Sequence, residues 1–197
     1  MSASPSSSPL SLLLTRRTIR RFRPEPVPSH LVEEILQAAV YAPSAHNLQP
    51  WRFVLLESKE TRERLADALT SAMRRDMETE GASEDEIRAR AERSRRRLLE
   101  APLAILLCRD RAARRAARPE EDLMGIQSIA AAGLQLLLAA HALGLGGNWI
   151  CWPLYAPAET RQALDLPESW QPEALFFIGY PAESPSAPTR QVPILRR

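Results

Sequence analysis

The chain has 197 residues, 45% of them hydrophobic, and a formal net charge of +2 from 26 basic and 24 acidic side chains. This length buries one sizeable core. Lys59 is the only lysine, so the positive charge is almost all arginine, the side chain suited to bidentate capture of phosphates and carboxylates. Cys108 and Cys151 lie in apolar runs without CxxC or Cys/His spacing, which excludes a zinc site and a disulfide framework and points to a reducing cytoplasm.

In chain order, residues 1–9 read as a flexible Ser/Pro-rich arm with no charged stretch ahead of an apolar core, so no signal peptide is expected. Residues 10–197 are expected to form one domain. Leu10 to Arg17 is predicted to be a short helix with its leucines toward a core. RPEPVPS follows as a proline-rich connection. Ser29 is the expected N-cap of a helix to Ala42 carrying Val32, Ile35, Leu36 and Ala39 at helical spacing, and Pro43 stops it. Trp51 to Glu57 has strand composition. Ser58 to Glu80 and Ser83 to Glu100 are charged helical patterns, and Leu103 to Cys108 is a strand expected to be buried on both faces. Asp122 to Leu143 is the most hydrophobic helix, expected to be central because apolar residues surround it. Gly144 to Trp149 terminates it, Pro157 to Leu164 is a short helix, and Ala174 to Tyr180 a last strand. No apolar run approaches the roughly 20 residues that span a bilayer, so a soluble protein is expected. The sum is an α+β layer arrangement with three strands and no metal site.

Two segments carry chemistry. RRTIRRF (Arg16 to Phe22) alternates Arg16, Thr18 and Arg20 where helix gives way to extended chain, so the three side chains can point one way as a phosphate clamp. A solvated basic patch is the alternative. PSAHNLQPW (Pro43 to Trp51) sets small and amide-bearing residues between two prolines. The result is either a rigid loop beside a cofactor, in which Asn47 offers a donor and an acceptor, or an ordinary turn.

With the GLGGNWICW segment and the late IGYPAE strand end, these motifs occur in an order that resembles the FMN-binding nitroreductase family over Leu12 to Arg190. The resemblance implies a mostly antiparallel sheet flanked by helices in an intertwined homodimer. It implies that Arg16, Thr18 and Arg20, with Arg17 beside them, contact the FMN phosphate and ribityl chain. Pro43, Ser44, Ala45, His46 and Asn47 would lie along the flavin from the other subunit, and Trp149, Ile150, Cys151 and Trp152 would run past its ring. A backbone N–H near Cys151 or Trp152 would serve the reducible ring nitrogen, so no side chain is expected to be catalytic. Trp149 and Trp152 are alternatively core residues, and Cys151 a small buried thiol. Arg190 matches the late basic residue that reaches the phosphate, with Pro188 where a second basic residue is often found.

Within the family, the chain most resembles the FMN domain that accompanies the glutamyl ligase in synthesis of the 8-hydroxy-5-deazaflavin coenzyme, through LLEAPLAILLC and LDLPESWQP. That implies transfer of hydride from reduced FMN to the coenzyme's unsaturated precursor. NAD(P)H or the deazaflavin coenzyme is the co-substrate so implied. A general NAD(P)H-dependent nitro or quinone reductase and a non-catalytic flavin-binding protein are the alternatives. Eleven arginines against three acids between Arg88 and Arg118 would steer an anionic substrate, or simply form a solvated helix face and basic linker. A nucleic-acid-binding module is not expected, because its signatures are missing and no aromatics interleave the basic run.

Overall fold

The computed structural model describes residues 9–195. The arm expected over residues 1–9 therefore lies outside the described residues, except for Pro9, which opens the first helix. The elements are α1 (Pro9–Thr15), α2 (Ser29–Ala39), β1 (Trp51–Leu55), α3 (Lys59–Thr79), α4 (Glu84–Glu100), β2 (Leu103–Asp110), α5 (Pro119–Ala142), β3 (Gly146–Ile150), α6 (Trp152–Tyr155), α7 (Pro157–Ala163) and β4 (Trp170–Gly179). The four strands form one sheet in the order β1-β2-β4-β3, every pairing antiparallel. Layers of helix on both faces make this the expected α+β architecture.

Strand alternation sorts the core into two faces. Ile105, Leu107, Phe176 and Ile178 face α2 and α5, where Val32, Ile35, Ile129, Leu136 and Ala140 meet them. Ala104, Leu106, Leu175 and Phe177 face the opposite way, toward Leu65 and Leu69 of α3 and Leu98 of α4. Ser83 closes a capping box with Glu86 at the start of α4. Arg74 of α3 reaches Glu84 at 2.7 Å and Arg95 of α4 pairs with Asp67, so the two helices are held in register beside the sheet.

Several expectations change. Ser29 is the first helical residue of α2, the cap position belongs to Pro28, and no side chain caps the helix. Three of the four leucines of α1 do not face a core: Leu10, Leu13 and Leu14 are exposed, and Leu12 is half-buried. Nor is α5 buried all round, since Leu123, Ile126 and Leu134 are exposed. Gly146–Ile150 is a fourth strand, not only a terminator. Gly144, at φ 77°, ends α5, whereas Gly146 and Gly147 let other chain approach: a Cβ on Gly146 would lie 2.5 Å from Ile19, and one on Gly147 inside the Leu137 side chain. The helix α5 does meet the length and composition of a membrane span, with a mean hydropathy of 1.7 over its most apolar window. Its packing against α2 and the sheet accounts for that apolarity. The strand β4 begins four residues earlier than expected, because Pro172 is accommodated opposite Cys108 where the β2 register shifts.

Candidate active site

On the α3/α4 face, a groove opens above the end of the sheet that carries the buried Phe177 and the half-buried Ile150. Two adjoining cavities, of about 320 Å³ and 720 Å³, share Arg93, Arg97 and Phe177. The smaller runs past Ile150, Cys151, Trp152 and Tyr155. The larger ends at Arg20, Arg21 and Phe22. Arg90, Arg93 and Arg97 reach it together because spacings of three and four put them on one face of α4.

The segment from Arg16 to Arg23 straps the end of the sheet. Thr18 bridges Gly147 and Phe22 bridges Pro181, the Ile19 N–H donates to the Gly147 carbonyl at 3.1 Å, and the Arg23 N–H to the Tyr180 carbonyl at 2.8 Å. The strap divides the arginines that alternation had grouped. Arg20 lines the groove, whereas Arg16 and Arg17 line a cavity of about 410 Å³ with His141, Gly146 and Pro185. Glu183 borders both. It accepts the Arg20 and Arg21 N–H groups and pairs with the Arg21 side chain at 3.0 Å, which holds its carboxyl below the usual range, the Arg20 N–H contributing most. Burial first, and then Arg16 and Arg17, lower the pKa of His141, which meets Thr15 at 2.9 Å. The Arg20, Arg90, Arg93, Arg96 and Arg97 guanidiniums have no carboxylate within salt-bridge distance among the described residues.

The GLGGNWICW segment splits across the sheet. Trp149 packs edge-on to Phe176, centroids 4.9 Å apart, on the α5 face. Ile150, Cys151 and Trp152 face the groove. Trp152 Nε1 is buried with no hydrogen-bond partner among the described residues, an exception to the rule that buried polar groups are paired. Cys151 is exposed, not buried as the alternative reading had it. As N-cap and first residue of α6, Cys151 and Trp152 present N–H groups to which the helix itself offers no acceptor. Arg190, exposed in the extended tail, lines neither cavity of the groove.

The loop from Pro43 to Trp51 lies elsewhere. It sits against α5, where the Ala45 N–H donates to Ser128 Oγ at 3.2 Å, and His46 meets Arg115. None of its residues lines the groove of its own chain. His46, Asn47 and Gln49 all adopt left-handed backbone, with φ of 52°, 53° and 48°. Such residues cost on the order of 1 kcal/mol each and persist where the surroundings over-determine them. The Gln49 N–H donates to Ser44 Oγ, and its side-chain amide to Asn47 Oδ1.

Sequence reasoning passed over Phe177, Tyr155 and the three groove arginines of α4 as individual site residues. The three-and-four spacing of Arg90, Arg93 and Arg97 was the available signal.

Residues 13–180 match the model of the nitroreductase family. The chain is 34% identical over 198 residues to the NADH dehydrogenase of Thermus thermophilus, spanning 93% of this chain and 91% of the relative. It is 33% identical over 186 residues to the 5,6-dimethylbenzimidazole synthase of Rhodospirillum rubrum, spanning 90% and 84%. Its fold is similar to that of an FMN-dependent nitroreductase from Clostridium difficile, with a TM-score of 0.69 at 27% identity over 91% of each chain.

Proposed function

The chain belongs to the nitroreductase family and is an oxidoreductase, and from that premise we propose that its groove holds FMN and serves electron transfer from a nicotinamide donor to an electron-poor small molecule. The observation that carries this reading is the groove's polarity. One end offers the unpaired Arg20 and Arg97, the floor is Phe177 and Ile150, and the other end holds the buried, unpartnered Trp152 Nε1.

That donor set fits a phosphate-bearing flat heterocycle. Arg20 and Arg97 would hold the phosphate through charge-assisted hydrogen bonds, with Thr18 fixing the strap and Arg16 and Arg17 adding positive field from its other side. Phe177 and Ile150 would carry the ring. The N–H groups of Cys151 and Trp152 and the indole N–H would orient its polar edge, and Tyr155 and Met73 would narrow access of water. FMN, when bound, supplies the two-electron chemistry. Arg190 would join the phosphate end only if the tail folds back over it.

We infer a homodimer in which the loop from Pro43 to Asn47 of one protomer lies along the groove of the other. Its support is a strained loop that lines no part of its own chain's groove, together with the exposed Leu123, Ile126 and Leu134 of α5 and the exposed Leu10, Leu13 and Leu14 of α1. A narrower reading makes the unsaturated deazaflavin precursor the acceptor. The LDLPESWQP stretch and the cationic groove support it. The free Cys108 and Cys151 suit a cytoplasmic setting.

The test is reconstitution. Purified protein incubated with FMN and desalted is expected to keep the yellow flavin spectrum, elute as a dimer and oxidise NADH or NADPH when an acceptor is added. Protein that retains no flavin rejects the reading.

A further inference from the structure

We infer that the Cys151 end of the groove contains a second anion subsite, formed by Arg90 and Arg93, so that the small molecule taken there carries a carboxylate or phosphate of its own. The inference rests on the flavin reading for the identity of the other occupant, and on the charge distribution for itself.

Three guanidiniums, of Arg90, Arg93 and Arg97, line the smaller cavity, and no carboxylate does. Two other arginines of α4 are spent locally, Arg88 on Asp85 at 2.6 Å and Arg95 on Asp67, whereas the unpaired Arg96 lines the larger cavity only. Like charges at these spacings destabilise a helix by a few tenths of a kcal/mol per pair, a repulsion that an anion bound among them would relieve. Arg93 and Arg97 also line the larger cavity, so they can serve a phosphate lying toward Arg20. Arg90 does not line it. At 1.5 Å of rise per residue, Arg90 lies about 10 Å along the helix from Arg97, so the row runs from the end shared by both cavities to the end that belongs to the smaller one alone.

The negative charge that a reduced flavin ring can carry would offset one guanidinium and leave the cavity positive. Behind Arg90, Asp76 of α3 and Glu80 at its C-cap border a small recess with Tyr155, but neither carboxylate is within salt-bridge distance of the Arg90 guanidinium. Trp152 and Tyr155 give the same end an aromatic wall. A planar molecule with an acidic substituent satisfies both features: its ring against the aromatics, its anionic group at Arg90 and Arg93. Arg90 is thereby a specificity-determining residue, acting on the substrate's charge.

The probes are 4-nitrophthalate, a dianion, and its uncharged dimethyl ester. Equilibrium dialysis measures their binding to the purified full-length protein with and without added FMN. The wild type is expected to bind the dianion at least tenfold more tightly than the ester at low salt. Arg90→Gln should cut that preference about tenfold, the size of one charge-assisted hydrogen bond, while the FMN dissociation constant moves less than threefold. In the FMN-loaded enzyme the loss should fall on KM for the dianion more than on kcat. Equal binding of dianion and ester, or a preference that Arg90→Gln leaves intact, overturns the inference. So does a change in FMN affinity or flavin potential without a change in preference, which would make Arg90 a flavin ligand. Failure of the flavin reading looks different: FMN does not bind, yet the dianion preference and its dependence on Arg90 remain.

Discussion

Arg109 and the arginines of the groove are the same side chain in opposite circumstances. Arg109, at the end of β2, is buried, and its guanidinium bonds Glu173 of β4 at 2.8 Å and Asp122 of α5 at 2.7 Å, so it ties the sheet to the central helix. Gly125 makes room for it, since a Cβ there would lie 2.9 Å from Arg109 Cδ. Arg90, Arg93 and Arg97 of the groove are exposed, stand on one helix face and have no carboxylate within salt-bridge distance among the described residues. A paired buried charge spends its interaction on the fold, and an unpaired one at a cavity keeps its interaction for a ligand. The contrast separates architecture from function without reference to any relative.

The comparison breaks most visibly at Arg109. Arg109→Ala leaves the buried Glu173 carboxylate uncompensated and should cost about 3–5 kcal/mol in urea unfolding, with a far smaller penalty when Glu173 is replaced by Leu and Arg109 by Met together. An equal penalty in both variants would contradict an ion-pair role. The groove is expected to show the reverse. Arg20→Ala with Arg97→Ala should leave unfolding of the FMN-free protein within about 0.5 kcal/mol per site, yet weaken FMN binding by about 1.5–3 kcal/mol for each phosphate hydrogen bond removed, read by fluorescence titration.

Acid provides a third measure. The hydrogen bond from Arg109 chiefly holds the Asp122 carboxyl below its usual range. Its contribution is therefore present above the unfolded carboxylate pKa, near 4, and is lost as pH falls through the lower folded value. The acid limb of the stability profile should be shallower in an Arg109→Met variant, while groove variants leave it unchanged.

The smallest expected effect concerns the thiols that neighbour each region. Cys108 is fully buried beside Arg109, and burial, with Glu173 adding to it, pushes its pKa up to about 12. Cys151 is exposed at the groove. A disulfide reagent should modify one thiol in the folded protein, Cys151, and FMN should slow that reaction. Modification of both at equal rates would show that the β2 end opens.

Long, periodic elements were legible in the sequence because their burial follows simple spacing, as in α3, α4 and β2. What was not legible involved meanings that only packing assigns. Gly146 and Gly147 read as a helix stop, but they are strand residues chosen for the approach of Ile19 and Leu137. The alternation of Arg16, Thr18 and Arg20 marks an extended strap correctly, yet nothing in the spacing says that the strap lies on the seam between two cavities. Trp149 and Trp152 sit three residues apart, and the end of β3 between them sends one to the α5 core and the other to the groove. The groove arginines were hidden in a longer arginine run, several of whose other members are paired. Only the partners distinguish them.

The most direct test of the groove as a flavin site is calorimetric titration of the FMN-free protein with FMN, for the wild type and for Arg20→Glu with Arg97→Glu. One FMN per chain is expected in the wild type and at least a hundredfold weaker affinity in the variant, with both proteins melting at similar temperatures without FMN. Unchanged affinity in a folded variant would contradict the assignment of this groove as the flavin site.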